Sequence, residues 1–408
     1  MADTATKEAP ESASERRRIT ASGVLLAVAA LSVVGTLALW WLGSLPAEPE
    51  PEIGRHVFGN IPSVLKAIFY MTTAVFLGVS AYLFAQRAKN WERGSRDDRR
   101  RLLKQRLHAA REGLQMRTLL RDPAAGLMHS AIYYGFIVLF LGTVTLEIDH
   151  LLPNNLKFLE GGVYQVYSLI LDVFAVVFIG GLLWAAVRRY GQRPWRLRSK
   201  TRAEDGWILL TLGAIGVTGL AVEAARIAVD GRPDFETWSF IGYPLSYLVP
   251  EANASGIHQG LWIVHVVAFL GFLVVLPSTK LRHMFTSPVN MFLSPRERPK
   301  GAMREMPNLM EATDIETVGA ATIGEFTWKQ LLDTDACTVC GRCTSVCPAN
   351  TTGKPLDPRE IVLKLGEVAA RTGAPPVSPP VGVDSEITVT SDSVFERISS
   401  EELWACTT

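Results

Sequence analysis

Two sets of residues in this 408-residue chain have the type and spacing to carry redox chemistry. The first is Cys337-Thr-Val-Cys340-Gly-Arg-Cys343-Thr-Ser-Val-Cys347-Pro348. Cysteines at i, i+3 and i+6, then a fourth four residues on and followed by proline, form a run that wraps thiolates around a [4Fe–4S] cubane. Gly341 lets the backbone approach inorganic sulfur without a Cβ in the way, and Pro348 turns the chain after the last thiolate. Structural zinc also takes four cysteines, but usually on two separated Cys-x-x-Cys knuckles, so an unbroken run ending in Cys-Pro favours iron and sulfide. The fifth cysteine is Cys406, and all five lie after residue 336. A redox centre elsewhere must therefore draw on the seven histidines.

The second set is those histidines. His129 and His150 accompany one apolar stretch; His258, His265 and His283 accompany another. Ionisable groups are costly in a bilayer and default to function, and neutral imidazole is an axial ligand of haem iron. A lone membrane histidine is explained more simply by a hydrogen bond to a neighbouring helix. Histidines at both ends of two helices make a stronger pattern. At 1.5 Å per residue, His129 and His150 are about 31 Å apart along a helix, and His265 and His283 about 27 Å. If the two helices are antiparallel, His129 comes level with His283 near the inner face. His150, just beyond its helix, comes level with His265 or His258 near the outer face. The expectation is a haem b at the inner face between His129 and His283, and a second at the outer face from His265 and His150, with His258 competing. Glu147 and Asp172 are candidate proton acceptors beside a quinone. The plainer reading of Asp172 is a helix–helix hydrogen bond, and of Glu223 with Arg226 a local i, i+3 pair. His108 sits in a basic exposed stretch and reads as a surface residue.

These residues need elements to hold them. The net charge of +1 and the 20% of charged residues average two different materials. Residues 19–290 contain long apolar runs, and residues 291–408 read as soluble sequence. Six runs, at 19–42, 62–86, 125–148, 163–187, 207–229 and 258–280, can each span a hydrocarbon core of about 30 Å. The first follows Arg16-Arg17-Arg18, but it is too long for a signal-peptide core and lacks a small-x-small cleavage site. Loops 16–18, 87–121, 188–202 and 280–299 are basic, whereas 44–60, 149–162 and 230–257 carry acids and prolines. Positive charge stays inside, so both termini are expected in the cytoplasm of a multi-pass inner (plasma) membrane protein. Arg99 to Leu120 reads as an amphipathic helix on the inner membrane face or against the soluble domain. Short helices are expected at Phe326–Leu332 and Pro358–Ala369, with loop at 374–385. The fold class is mainly α: a disordered tail (1–18), a six-helix transmembrane cytochrome b-like bundle (19–290), a linker (291–322) and a helical ferredoxin-like [4Fe–4S] domain (323–408). Near-neutral charge argues against nucleic acid as a partner, and the basic loops beside apolar runs point to membrane lipid instead.

The segment Gly126-Leu-Met-His129-Ser-Ala-Ile-Tyr-Tyr-Gly135-Phe resembles the haem-bearing helix of the nitrate reductase gamma subunit and of the heterodisulfide reductase cytochrome b subunit. His265 and His283 resemble the outer and inner ligands on that family's last helix. Leu139 stands roughly where the nitrate reductase type has its second histidine, so His150 would have to substitute. The tail resembles the iron–sulfur subunits of heterodisulfide reductase, anaerobic glycerol-3-phosphate dehydrogenase and glycolate oxidase. There, two cysteine runs precede cysteine-rich CCG modules, and Glu402-Leu-Trp-Ala-Cys406 looks like the opening of the second run. Together these likenesses cover nearly all of 120–408. They imply an iron–sulfur oxidoreductase: a membrane cytochrome b fused to a cytoplasmic iron–sulfur part, with a catalytic CCG-type module beyond Thr408. Electrons would pass among menaquinone or another quinone, one or two b haems, and the two [4Fe–4S] clusters of the complete protein. In two-cluster ferredoxins the fourth cysteine of a run serves the other cluster. By that likeness Cys337, Cys340 and Cys343 hold one cluster and Cys347 joins Cys406 on the other. The 408 residues alone are then expected to bind their clusters poorly. A redox sensor and a transporter with a regulatory iron–sulfur domain are the rival readings.

Overall fold

The computed structural model describes residues 20–42, 52–97, 102–294, 310, 319–379, 382–383 and 387–406. The expected tail at 1–18 and most of the 291–322 linker lie outside the described residues. Among the described residues the chain is helical and has no strand. In order come α1 (Ala21–Leu42), α2 (Ser63–Glu92), the amphipathic α3 (Leu103–Leu114), α4 (Pro123–Leu151), α5 (Gly161–Ala186), α6 (Ala203–Val229) and α7 (Ala254–Ser278). All but α3 are long and apolar enough to cross a membrane. A short α8 (His283–Phe292) leads out of the bundle to α9 (Trp328–Asp335), α10 (Pro358–Thr372) and α11 (Ser400–Trp404).

Local chemistry accounts for the boundaries. Asp122 accepts the Ala125 N–H and Pro123 occupies the first turn of α4, a strong start signal. Thr327 and Gln330 form a reciprocal capping box on α9. Gly135 lets α5 approach α4 closely, since a Cβ there would lie 2.7 Å from Phe178 Cβ. Phe178, Leu182, Ile208, Leu212, Phe272, Leu273 and Leu276 form the apolar centre of the bundle. Leu139 packs against this centre.

One end of the bundle carries the basic loops and the soluble domain together. Ser95 exchanges backbone hydrogen bonds with Phe326 and Trp328 at 2.7 and 3.0 Å. Arg342 Nη1 donates to Thr118 O at 2.7 Å, and Arg359 Nη1 to Arg196 O at 2.8 Å. Lys200 pairs with Glu360 at 2.8 Å. The soluble domain has its own core of Ile323, Leu331, Val368, Ala369, Val394 and Ile398. Its docking explains a difference from expectation: α2 does not stop near residue 86 but runs to Glu92, with Arg87, Ala88 and Asn90 buried. The amphipathic helix ends at Leu114 and not at Leu120, and Met116 then takes a left-handed φ of 55°; residues 99–101 of the expected helix lie outside the described residues. Leu102, Leu103, Leu107 and Leu114 are exposed, while Gly113 meets Met291 on α8.

The opposite end is closed by a buried polar network. Arg226 on α6 pairs with Glu236 at 2.6 Å and with Asp230 at 3.1 Å, and Tyr164 Oη donates to Glu236 at 2.8 Å. The expected local pair of Glu223 with Arg226 does not form; Glu223 instead accepts from Ser239 at 3.1 Å. Asp172 on α5 lies within side-chain hydrogen-bonding reach of Glu223 on α6, the expected contact between helices, and also meets a loop. Its Oδ2 accepts the N–H groups of Ile241 and Gly242, at 2.7 and 3.2 Å, in the loop that folds back over the helix ends. Burial opposes ionisation of Glu236, but Arg226 and the Tyr164 hydroxyl hold its carboxyl below the usual range. Glu236→Ala strands the buried Arg226 and is expected to destabilise the bundle by about 3–5 kcal/mol, whereas Tyr164→Phe, which removes one neutral donor, costs about 1 kcal/mol. Thermal unfolding of the detergent-solubilised protein checks the order; equal midpoints for the two variants would contradict it.

Candidate metal centres

The inner histidine pair is built by a helix break. Pro277 lacks an N–H and closes α7, and Thr279 is extended (φ −118°, ψ −178°). A single turn, Lys280–Arg282, then leads to His283 at the start of α8, so the sixth span does not itself run to His283. The first turn of α6 fastens this break: Lys280 N–H donates to Glu204 at 2.8 Å, and its ammonium pairs with Asp205, which also takes Arg189 at 2.7 Å. His283 Nδ1 lies 2.6 Å from Lys280 O. A carbonyl only accepts, so Nδ1 carries the proton and Nε2 keeps its lone pair. Burial pushes His283 below its usual range and favours the neutral ring.

His129, in the second turn of α4, faces it. The two ring centroids are 6.2 Å apart, at 56°. Two imidazoles binding one metal from opposite sides, with bonds of about 2 Å, have centroids roughly 6 Å apart. His129 Nδ1 is buried and has no hydrogen-bond partner. An orphaned ring nitrogen opposite a ligand-ready imidazole fits a bis-histidine metal site.

The outer histidines are arranged differently. His150 lies inside α4, not in the following loop. Its Nε2 is buried without a partner, and its ring meets Phe58 edge-on at 5.5 Å. The structure does not bring it into ring contact with His265 or His258. The hydrogen bonds around those two favour different tautomers. Thr218 Oγ1 donates its one proton to Ala214 O at 2.5 Å, so it accepts from His265 Nδ1 at 2.9 Å. That leaves His265 Nε2 a lone pair. His258 Nδ1 lies 3.1 Å from Asn60 Nδ2, a donor, which puts the His258 proton on Nε2, where a ligand needs a lone pair. Glu147, a turn before His150, accepts from Tyr70 Oη at 2.6 Å. Neither Thr218, Asn60 nor Tyr70 stands out in the sequence.

The cysteine loop follows α9. Val339, 5% exposed, holds φ 58° and Gly341 holds φ 70°. A β-branched residue in the left-handed region stores strain, which persists where surrounding structure demands it. Two left-handed residues curl the loop, and Cys337, Cys340 and Cys343 come within electrostatic reach of one another. A Cβ on Gly341 would sit 3.1 Å from Arg359 Nη1. Burial and the neighbouring cysteines push the Cys337 and Cys343 thiols up, though the Val339 N–H and Arg359 pull Cys337 back. Iron must therefore displace protons on binding. Cys347 packs elsewhere. It sits with Ile361 on Ala349, Leu356 and Ala405, the residue before Cys406, whereas Cys337 sits with Val383 on Val339 and Leu363. The described residues contain no convergent group of three or more His, Cys, Asp or Glu side chains of the sort that encloses a single ion. A cubane is larger and takes its thiolates at separate corners.

The two centres are fastened together. Thr286 Oγ1 donates to Asp335 O at 3.0 Å, and Ser287 Oγ to Ala336 O at 3.3 Å. The first turn after His283 is thus hydrogen-bonded to the two residues before Cys337.

These features define a membrane protein with two matched parts: residues 120–298 match the nitrate reductase gamma subunit family, and residues 328–349 a 4Fe-4S binding domain. The membrane part and the iron–sulfur part of the expected fusion each have a match. The chain is 32% identical over 317 residues to the EtfAB:quinone oxidoreductase of Syntrophomonas wolfei, covering 71% of this chain and 43% of that protein. It is 28% identical over 373 residues to the "Probable iron-sulfur-binding oxidoreductase FadF" of Bacillus subtilis, covering 84% and 52%. A "Probable membrane-anchored ferredoxin" of Chromohalobacter salexigens is 29% identical over 238 residues, covering 50% and 35%. The chain spans about half the length, 43% and 52%, of the first two of these relatives. No solved structure matches it.

Proposed function

We propose that this chain is the membrane and leading iron–sulfur part of a quinone-linked oxidoreductase, with the soluble domain and both termini in the cytoplasm. The observation that carries the proposal is the fastening of the His283 turn to the backbone before Cys337, which sets a histidine pair and a cysteine loop against one another. When bound, b haems and [4Fe–4S] clusters would supply one-electron chemistry. His129 and His283 would hold the inner haem, and an outer one would need His150 and His265, apart in this structure, to come together around it. Cys337, Cys340 and Cys343 would hold one cluster, and Cys347 with Cys406 would contribute to a second. The name of the Syntrophomonas relative points to quinone as the membrane partner. Glu147 Oε1, holding the Tyr70 hydroxyl proton, is the proton-handling group beside the outer histidines. A soluble redox module, accounting for the remaining length of the relatives, would exchange electrons with the second cluster.

The test is a reduced-minus-oxidised spectrum of the purified protein, followed by addition of a short-chain quinol. A b-type band that quinol partly reduces is expected, with a weak, substoichiometric [4Fe–4S] electron paramagnetic resonance (EPR) signal after full reduction. A protein without a b-type band would rule the proposal out in favour of a sensor or transporter.

A further inference from the structure

Arg282 ends the turn between α7 and α8 and immediately precedes His283. It is 2% exposed. Its Nε lies 3.5 Å from Asp335 Oδ1, an oxygen already held by Arg87 Nη1 at 2.8 Å. Trp91 Nε1 takes the other oxygen of Asp335 at 2.7 Å. One carboxylate therefore serves two buried guanidinium groups, and Arg282 has the longer contact.

The two arginines differ in what they have left over. Arg87 spends Nε on Pro277 O at 3.3 Å, Nη1 on Asp335, and Nη2 on Ser378 O at 2.7 Å. It ties helices to the soluble domain. Arg282 Nη1 is buried and has no hydrogen-bond partner. An unpaired charged donor in a water-excluded site is costly, and one that persists calls for a specific explanation such as a ligand or ion. Burial and Arg87 lower Arg282 to about 10, which leaves it charged at neutral pH. Among the groups whose charge acts on it is Cys337, two residues beyond Asp335. Arg282 thus directly precedes His283 in sequence and contacts Asp335, two residues before Cys337.

We propose that Arg282 is a potential-setting residue for the cluster held by Cys337, Cys340 and Cys343. Its unpaired N–H donates to a sulfur of that cluster, and its positive charge favours the reduced, more negative state. Hydrogen bonds to sulfur and local charge are the levers by which a protein moves such a potential. The inference rests on the cluster assignment proposed above.

The test titrates the reduced [4Fe–4S] EPR signal against potential in the full chain purified from membranes, as wild type, Arg282→Met, Arg282→Gln and Arg87→Met. In Arg282→Met the cluster midpoint is expected to fall by at least about 59 mV, the equivalent of a tenfold change in a one-electron equilibrium. Arg282→Gln keeps a donor without charge and is expected to fall by less; it decides the matter if Arg282→Met assembles no cluster. An unchanged midpoint overturns the proposal. An equal fall in Arg87→Met also overturns it, because the effect then belongs to docking. So does a shift confined to the b haem, which would give Nη1 to a haem carboxylate. A wild-type protein with no [4Fe–4S] signal even after anaerobic reconstitution with iron and sulfide defeats the underlying assignment instead, an outcome distinct from an unmoved midpoint.

Discussion

His283→Ala is expected to abolish the inner haem b, read as loss of about half of the haem per protein in a pyridine haemochrome assay if two haems are present, or all of it if there is one. The ring is fixed before any metal arrives. Its Nδ1 proton is committed to Lys280 O, so Nε2 alone can coordinate. The carbonyl that orients it belongs to a turn pinned by Glu204 and Asp205 of α6. No other histidine is within ring contact of His129 among the described residues, so no substitute can step in. His129→Ala is expected to give the same loss, and the double variant no more than either single one, because a two-ligand site fails as a unit. His258→Ala is the contrasting case. Its Nδ1 is engaged by Asn60 and its proton is on Nε2, so haem content should survive and only the fit of the outer loop should suffer. Full haem occupancy in His283→Ala would remove the inner pair as a site.

Why some of this was legible in the chain and some was not follows from the range of the interactions. Helix positions are local matters of apolar length, Asp122 and Pro123 at a start, or Pro277 near an end, and the six spans fall within a few residues of where hydropathy puts them. The levelling of His129 with His283 needed only the rise of a helix and an antiparallel arrangement. The break after Pro277 changed how His283 is presented without changing its level. Charge in the loops was readable as a count and misleading as a location. Arg87 and Arg93 count as inside-positive loop, yet they are the last turns of α2 and its cap, placed against the soluble domain. Nothing near residue 87 announces a partner at Asp335. The tautomers were beyond reach for the same reason. Thr218 and His265 lie 47 residues apart and Asn60 and His258 lie 198 apart, and both partners are ordinary polar residues until the helices meet. The cysteines show both limits together. Their spacing gave the cluster type, but only packing separates Cys347, on the Ala405 side, from Cys337 on the Leu363 side.

Asp335→Ala is expected to release the soluble domain from the bundle. The carboxylate is 6% exposed and takes Arg87 at 2.8 Å, Arg282 at 3.5 Å and the Trp91 indole N–H at 2.7 Å. Removing one partner of a buried ion pair leaves an uncompensated charge, at a cost of about 3–5 kcal/mol. Here two like charges are left facing one another, which puts the variant at the upper end. The cost should fall on docking rather than on global unfolding, because each side keeps its own apolar core. Ser378 O, Pro277 O and the backbone exchange at Ser95 still hold Arg87 and the end of α2, so the domain loosens about a tether. Limited proteolysis and alkylation of Cys337 report this opening, and both should speed up by roughly 100-fold or more if opening and closing are fast, since each 1.4 kcal/mol is a factor of ten. Asp335→Asn keeps the acceptor for Trp91 and loses only the charge, so it should open less. Arg87→Met removes one of the two facing cations; placed in the Asp335→Ala background it should restore part of the protection, because it relieves the repulsion that the first substitution creates. Protection unchanged in Asp335→Ala would mean that the domain is held by its backbone contacts alone, and that the Arg87–Asp335–Arg282 cluster has no part in setting the cysteine loop against His283.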